Sequence, residues 1–370
     1  MPFYKPIKAI TDETEKERLV NNLLRLRQQL AAEIPEKTAS RTLLLATWNI
    51  REFKGGGRLA ESYYYIAEII ARFDLVAVQE VAGDLTAIEQ VLFHLGSQWS
   101  YIVTDATEGP AGGRERIAFL YDTGKVTFMR IAGEVVLPTN KLVGNQHQFA
   151  RTPFTVAFQA GWFRFMLTSV HIYFGKESGE AYKRRVAEIK ALSQFLSKRA
   201  RQEDISYILL GDFNITDPQD ETFKALCAGG FYVPQQLQLT TNAARNKHYA
   251  QIAFKVNQRR DMPIFNEGVQ NKAGVFDYYK VLFTKEEQEV YQPYFTETAT
   301  MRRTEKQVQN YYLTKWRTFQ LSDHLPLWVE LQIDFSDQYL NELKSKPPGN
   351  EKSIAASVLR NLNAMKEKKL

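Results

Sequence analysis

The chain of 370 residues has one cysteine, Cys227. An internal disulfide and a thiolate metal cluster are therefore both excluded. Histidine is also scarce, with five in the whole chain. No apolar run is long enough to span a bilayer. The N-terminus carries Lys5, Lys8 and Asp12 and has no apolar core of a secretory signal, so a cytoplasmic protein is the expectation. There is no internal repeat and no low-complexity segment. Apolar content of 44% and charged content of 24% are those of a globular protein. A net charge of +6 favours a polyanionic partner such as nucleic acid or an anionic head group.

Three regions are expected: a helical appendage at 1–40, a main domain at 41–335, and a linker with a helix at 336–370. In the first, Thr14 and Glu17 fit a capping box, and Leu19, Leu23, Leu26 and Leu30 recur at helical spacing. That stripe should dock on the main domain. In the last, Ile354, Val358, Leu362 and Met365 suit a short helix.

The main domain reads as core-type strands that each end in a polar residue. Residues 42–50 end near Asn49 and residues 74–81 near Glu80. The run FRFMLTSVHIY at 163–173 carries His171, and YILL at 207–210 leads into Gly211, Asp212, Phe213 and Asn214. Residues 114–121, 248–254 and 275–283 are also strand-like, and a closing strand follows Ser322, Asp323 and His324. Helices suit 63–73, 84–96 and 181–201, while 284–320 reads as irregular, aromatic and basic. Burying unpaired polar groups is costly, so such strand ends point to a shared rim. Carboxylates and amides without cysteine suit a hard cation, Mg²⁺ or Mn²⁺; two His with Asp could instead bind zinc, but the carboxylates outnumber the imidazoles. Asp212 and Asn214, two apart in extended chain, share a side and suit holding a water.

In this order the motifs TWNI, VQEV, SVHIYFG, GDFN and SDHLPLWVEL resemble the endonuclease/exonuclease/phosphatase superfamily, the group of deoxyribonuclease I, over residues 42–334. The closest resemblance is to uncharacterised bacterial members. It implies an α/β (α+β) fold, a four-layer sandwich of two mixed β-sheets flanked by helices. By the same resemblance, Glu80 binds the cation, with Asn49 and Asp323 beside it. Asp212 orients or deprotonates the attacking water, helped by Asn214. His171 and His324 contact the scissile phosphate. Arg116 matches a phosphate-gripping position, and Arg184 and Arg185 are further candidates for phosphate contact. The family's orienting Asp falls at Ala250. An introduced inactivating substitution, a natural loss and replacement by Asp277 all remain open. The expected activity is a Mg²⁺- or Mn²⁺-dependent phosphodiesterase acting on nucleic acid, a DNA endonuclease in the leading reading. A phosphatase, a phospholipid phosphodiesterase or a catalytically weakened binding protein is the alternative. Basic segments at 241–260 and 301–317, interleaved with Tyr249, Phe254, Tyr311, Tyr312 and Trp316, favour nucleic acid.

Overall fold

The computed structural model describes residues 2–107, 113–143, 147–256, 272–295 and 304–345. Residues 1–333 form one compact unit and residues 334–370 another. In the second, the described part, residues 334–345, holds the helix Ser336–Ser345. The tail helix expected from Ile354 to Met365 lies outside the described residues.

In the first unit, helix α1 (Glu13–Glu33) precedes strand β1 (Thr42–Phe53). Then come α2 (Ala60–Ala71), β2 (Leu75–Val81), α3 (Thr86–Leu95), β3 (Trp99–Val103), β4 (Arg116–Asp122) and β5 (Val126–Glu134). They are followed by β6 (Phe154–Ala160), β7 (Phe163–His171), α4 (Gly179–Glu203), β8 (Ser206–Asp212), α5 (Glu221–Cys227), β9 (Ala250–Lys255), β10 (Ala273–Val275) and β11 (Leu327–Gln332). One sheet has the order β10-β11-β1-β2-β4-β3 and the other β5-β6-β7-β8-β9. Both are mixed: β1 runs parallel to β2, and β7 parallel to β8, while their remaining neighbours are antiparallel.

Strand alternation sorts the side chains of β1. Leu44, Ala46 and Trp48 join the core that includes α1, α2 and α3. The other parity, ending at Asn49, faces the second sheet. There Gln79 Nε2 donates to Ser169 Oγ at 2.9 Å, and Phe119 stacks on Phe154 at 5.7 Å. Polar residues of one parity on β1, β7 and β8 therefore meet between the sheets at their common end.

The Leu stripe of α1 is buried in the same core, each side chain contributing about 1.5–3 kcal/mol. The cap of α1 differs from the expected Thr14 box. Asp12 accepts from the backbone N–H of Thr14 and Glu15 at 2.9 and 3.0 Å. Asp12 competes better because its carboxylate sits one position before the first helical residue.

Three strands, β3, β5 and β6, were not expected from the sequence. Conversely, 275–283 is not a strand beyond Val275. Asp277 accepts from Tyr279 N–H at 3.1 Å and closes the 3₁₀ turn Tyr278–Lys280. The hydroxyls of Tyr278 and Tyr279 then donate to the Ser322 carbonyl. The region 284–320 is largely helical among its described residues. The helix Glu305–Tyr311 passes through a wider π turn, Tyr312–Trp316, into Arg317–Gln320. Val308, Tyr312 and Trp316, four apart, are buried, so the apolar stripe overrides the basic composition. Tyr312, Trp316 and Phe254 are thus packing residues.

Candidate active site

β1 and β8 bring Asn49 to Asp212 across the sheets, with Asn49 Nδ2 3.0 Å from Asp212 Oδ2. The same Nδ2 lies 2.9 Å from Glu80 Oε1. Two imidazoles face that carboxylate: Nε2 of His171 is 3.8 Å from Asp212 Oδ2, and Nε2 of His324 is 3.7 Å from it. Asn49, His171, Asp212, Asn214 and His324 are all buried. Gly211 permits this geometry. Its φ is +129°, and a Cβ there would stand 2.2 Å from the Val170 carbonyl oxygen. No L side chain fits so close an approach of β7 and β8.

Glu80 arrives differently. Gln79, on the inter-sheet parity, should leave its neighbour facing the helices. Glu80 instead has φ +60°, where the β2–β4 register shifts between Val78 and Val81. The bulge turns its carboxylate to Asn49. Its Oε2 accepts from Glu52 N–H at 2.9 Å, and Glu52 is itself at φ +43°. Arg58 holds this turn. It is buried and donates to the carbonyls of Glu52, at 2.9 Å, and Arg51. Desolvation lowers its pKa to about 10, a sign that the fold keeps a costly cation here. Ser322 ties the third element in. Its Oγ donates to the Asn49 carbonyl at 2.7 Å and accepts from the N–H groups of Arg51 and His324.

The charges are mutually supporting. Burial pushes the Asp212 carboxyl up, yet His324 and His171, with hydrogen bonds from Asn49 and Asn214, hold it below the usual range. Burial pushes His171 down, but its bond to Glu115 and the charge of Asp212 leave it raised. Glu115 is the residue that sequence reasoning missed. Its Oε2 lies 2.7 Å from His171 Nδ1, and Arg151 Nε lies 2.8 Å from the same oxygen. Burial raises Glu115, and His171 and Arg151 outweigh it to leave it lowered. Glu115 stands just before β4, a sheet away from β7, so strand patterning held no sign of the pair.

The other expected residues take different parts. The Asp323 carboxylate is exposed, and its carbonyl accepts from Ala243 N–H. Asn214, at φ +53°, gives its side-chain N–H₂ to the Ile172 carbonyl at 2.7 Å and its backbone N–H to Asp212 Oδ1 at 2.9 Å. Arg116 donates to the Thr104 carbonyl at 2.7 Å and pairs with Asp105. Arg184 pairs with Glu188 at 3.0 Å over the Tyr173 ring. Arg185 is fully buried. Asp277 caps its own turn. Ala250 is buried opposite Asp212 in the β8–β9 register. His324 Nδ1 is buried without a hydrogen-bond partner among the described residues.

The described residues hold no cluster of three or more His, Cys, Asp or Glu arranged as a metal centre. They also contain no helix long and apolar enough to cross a membrane.

Two mixed sheets packed face to face, with helices outside and a polar rim at one end, define the deoxyribonuclease-I-like α/β sandwich. The chain's resemblance to the endonuclease/exonuclease/phosphatase superfamily is borne out at the level of fold. A solved protein of that family from Bacteroides thetaiotaomicron aligns with a TM-score of 0.51 at 18% identity, over 80% of this chain and 99% of that one. The mannosyl-6-phosphatase of Bacteroides thetaiotaomicron VPI-5482 gives 0.50 at 17% identity, over 78% and 99%. In sequence, a deoxyribonuclease of Thioalkalivibrio sp. (strain K90mix) is 31% identical over 186 residues, 48% of each chain. The chain thus spans about half the length of this curated relative. No protein-family model matches it.

Proposed function

We propose that the protein is a divalent-metal-dependent phosphodiesterase that hydrolyses nucleic acid, with DNA cleaved endonucleolytically. The observation that carries this reading is the meeting of two imidazole Nε2 atoms on one buried carboxylate, Asp212. Phosphodiester hydrolysis needs an oriented water, a base and donors for the charge that develops on phosphate. Asp212, kept ionised by its neighbours, is the group for the water. Asn214 acts on Asp212 through its backbone N–H. His171 and His324 are donors to phosphate oxygens, and Glu115 holds the tautomer of His171 as an orienting carboxylate does.

Glu80 and Asn49 are the residues that would hold Mg²⁺ or Mn²⁺. Asn49 supports the fit: both neighbouring carboxylates share its Nδ2, while its Oδ1 is buried with no partner among the described residues. One carboxylate, one amide oxygen and waters suit a hard cation, with Asp323 at the rim. When bound, the cation neutralises the oxygens of the phosphate. The +6 charge and the deoxyribonuclease relative favour nucleic acid over other phosphoesters.

The test is one panel with Mg²⁺ and with Mn²⁺: supercoiled DNA, single-stranded DNA, RNA, a phosphoinositide, sphingomyelin and mannose 6-phosphate. Nicking of supercoiled DNA that chelator abolishes is the expected result. Hydrolysis of only a lipid or sugar phosphate would replace the nuclease reading with the phosphatase or lipid one.

A further inference from the structure

The loop that leaves β7 mounts an aromatic side chain at the rim of the catalytic cluster. Phe174 is 37% exposed. A lone exposed phenylalanine is ordinary; the mounting of this one is not. Its ring lies over the Arg185 guanidinium, 5.0 Å from centroid to Cζ. Arg185 is fully buried and donates to the carbonyls of Asn214 at 2.9 Å and Lys176 at 3.0 Å. One cation thereby locks the Phe174 loop to the tip that carries Asp212. The Phe174 ring meets Tyr249 edge to face at 6.3 Å, and Tyr249 lies 5.5 Å from His324. An ion pair of 2.7 Å between Glu177 and Lys247 joins the two loops outside the rings. Phe174, Tyr249 and His324 therefore form a chain of ring contacts that reaches the catalytic cluster, and the exposed Lys176 follows Phe174 by two residues.

We infer that Phe174 and Tyr249 form a stacking subsite for an unpaired nucleobase next to the scissile phosphate, on the His324 side. The inference rests on the nuclease reading and narrows its substrate to single-stranded or frayed nucleic acid. A rigid aromatic face loses little freedom on stacking, and every base offers a π face. Lys176 supplies charge for the backbone phosphate that accompanies the base. A base held in a duplex already has both faces covered, so it reaches this ring only when unpaired.

The experiment uses single-stranded oligonucleotides with one cleavable linkage, the others phosphorothioate, carrying an intact base or an abasic analogue on either side of it. For the intact protein, removing the base on one side should lower kcat/KM on the order of tenfold. Phe174→Ala should lower cleavage of the intact substrate by the same factor and leave that abasic one unchanged, while Phe174→Trp retains the preference. A purely structural role would slow both substrates equally and overturn the proposal. Binding gives a readout free of turnover: 2-aminopurine at that position should be quenched by the intact protein and not by Phe174→Ala. Quenching equal in both also overturns it. Cleavage of oligonucleotides without base dependence removes the subsite alone. Failure to cleave or bind any oligonucleotide, with turnover of another phosphoester, removes the nuclease reading and the subsite together.

Discussion

On the phosphodiesterase reading proposed above, replacing Ala250 by aspartate should raise the rate sharply. His324 Nδ1 is buried and has no acceptor among the described residues, so none of them fixes the tautomer of the ring. Ala250 lies opposite Asp212, and its N–H donates to Thr241 Oγ1 at 2.9 Å. The Thr241 carbonyl in turn accepts from Leu325 N–H at 2.7 Å, next to His324. A carboxylate at position 250 that accepts from Nδ1 would hold Nε2 toward the phosphate and favour the charged ring beside a developing anion. Proton-transfer and electrostatic effects of this kind are worth about 10²–10⁴ in rate, so Ala250→Asp should raise kcat by roughly 10²-fold with KM little changed. Position 250 is 5% exposed, which sharpens the test. A buried carboxylate that found no partner would cost several kcal/mol, whereas one paired with His324 leaves stability nearly unchanged. Steady-state kinetics and thermal denaturation of both versions decide the matter. Unchanged kcat together with a loss of about 3 kcal/mol or more would refute the geometry. Asp277→Ala is the control: it removes a turn cap worth about 1 kcal/mol and should not alter the rate.

Glu80→Gln should weaken Mn²⁺ binding in calorimetry by at least roughly tenfold; unchanged affinity would remove Glu80 from the cation site. Affinity for a labelled oligonucleotide should fall steeply from low to physiological salt as counterions are released, and a flat response would argue for a small or lipid substrate. Glu115→Gln should lower the His171 pKa, followed by NMR of the imidazole protons. The raised His171 pKa stabilises the fold fully below about 6.5, its unfolded value, and this is lost as pH rises through the folded one. The lowered Glu115 pKa works oppositely, its contribution vanishing as pH falls through the folded value. The stability gap between the two versions should therefore be widest near pH 5–6 and narrow as pH rises through the folded His171 value, leaving the part that Arg151 holds. A gap independent of pH would mean that the pair is not ionic.

The sequence alone determined the central strands and the polar residues at their ends. Apolar runs that stop at Asn49, His171 and Asp212 are local signals, because alternation and the cost of buried polar groups act within a few residues. The Leu stripe of α1 was legible for the same reason. Tertiary structure decided everything that depends on partners far along the chain. Asn49 and Asp212 are 163 residues apart, and Glu115 meets His171 across 56. Nothing local marks Glu80 for φ +60°; it falls at the bulge in β2, facing the Glu52 turn that the buried Arg58 holds. Arg185 reads from the sequence as a candidate for phosphate contact, yet the fold buries it to join Phe174, Lys176 and the Asp212 tip. Local pattern tells which residues cannot face water. Only the closure of two sheets tells which of them face each other.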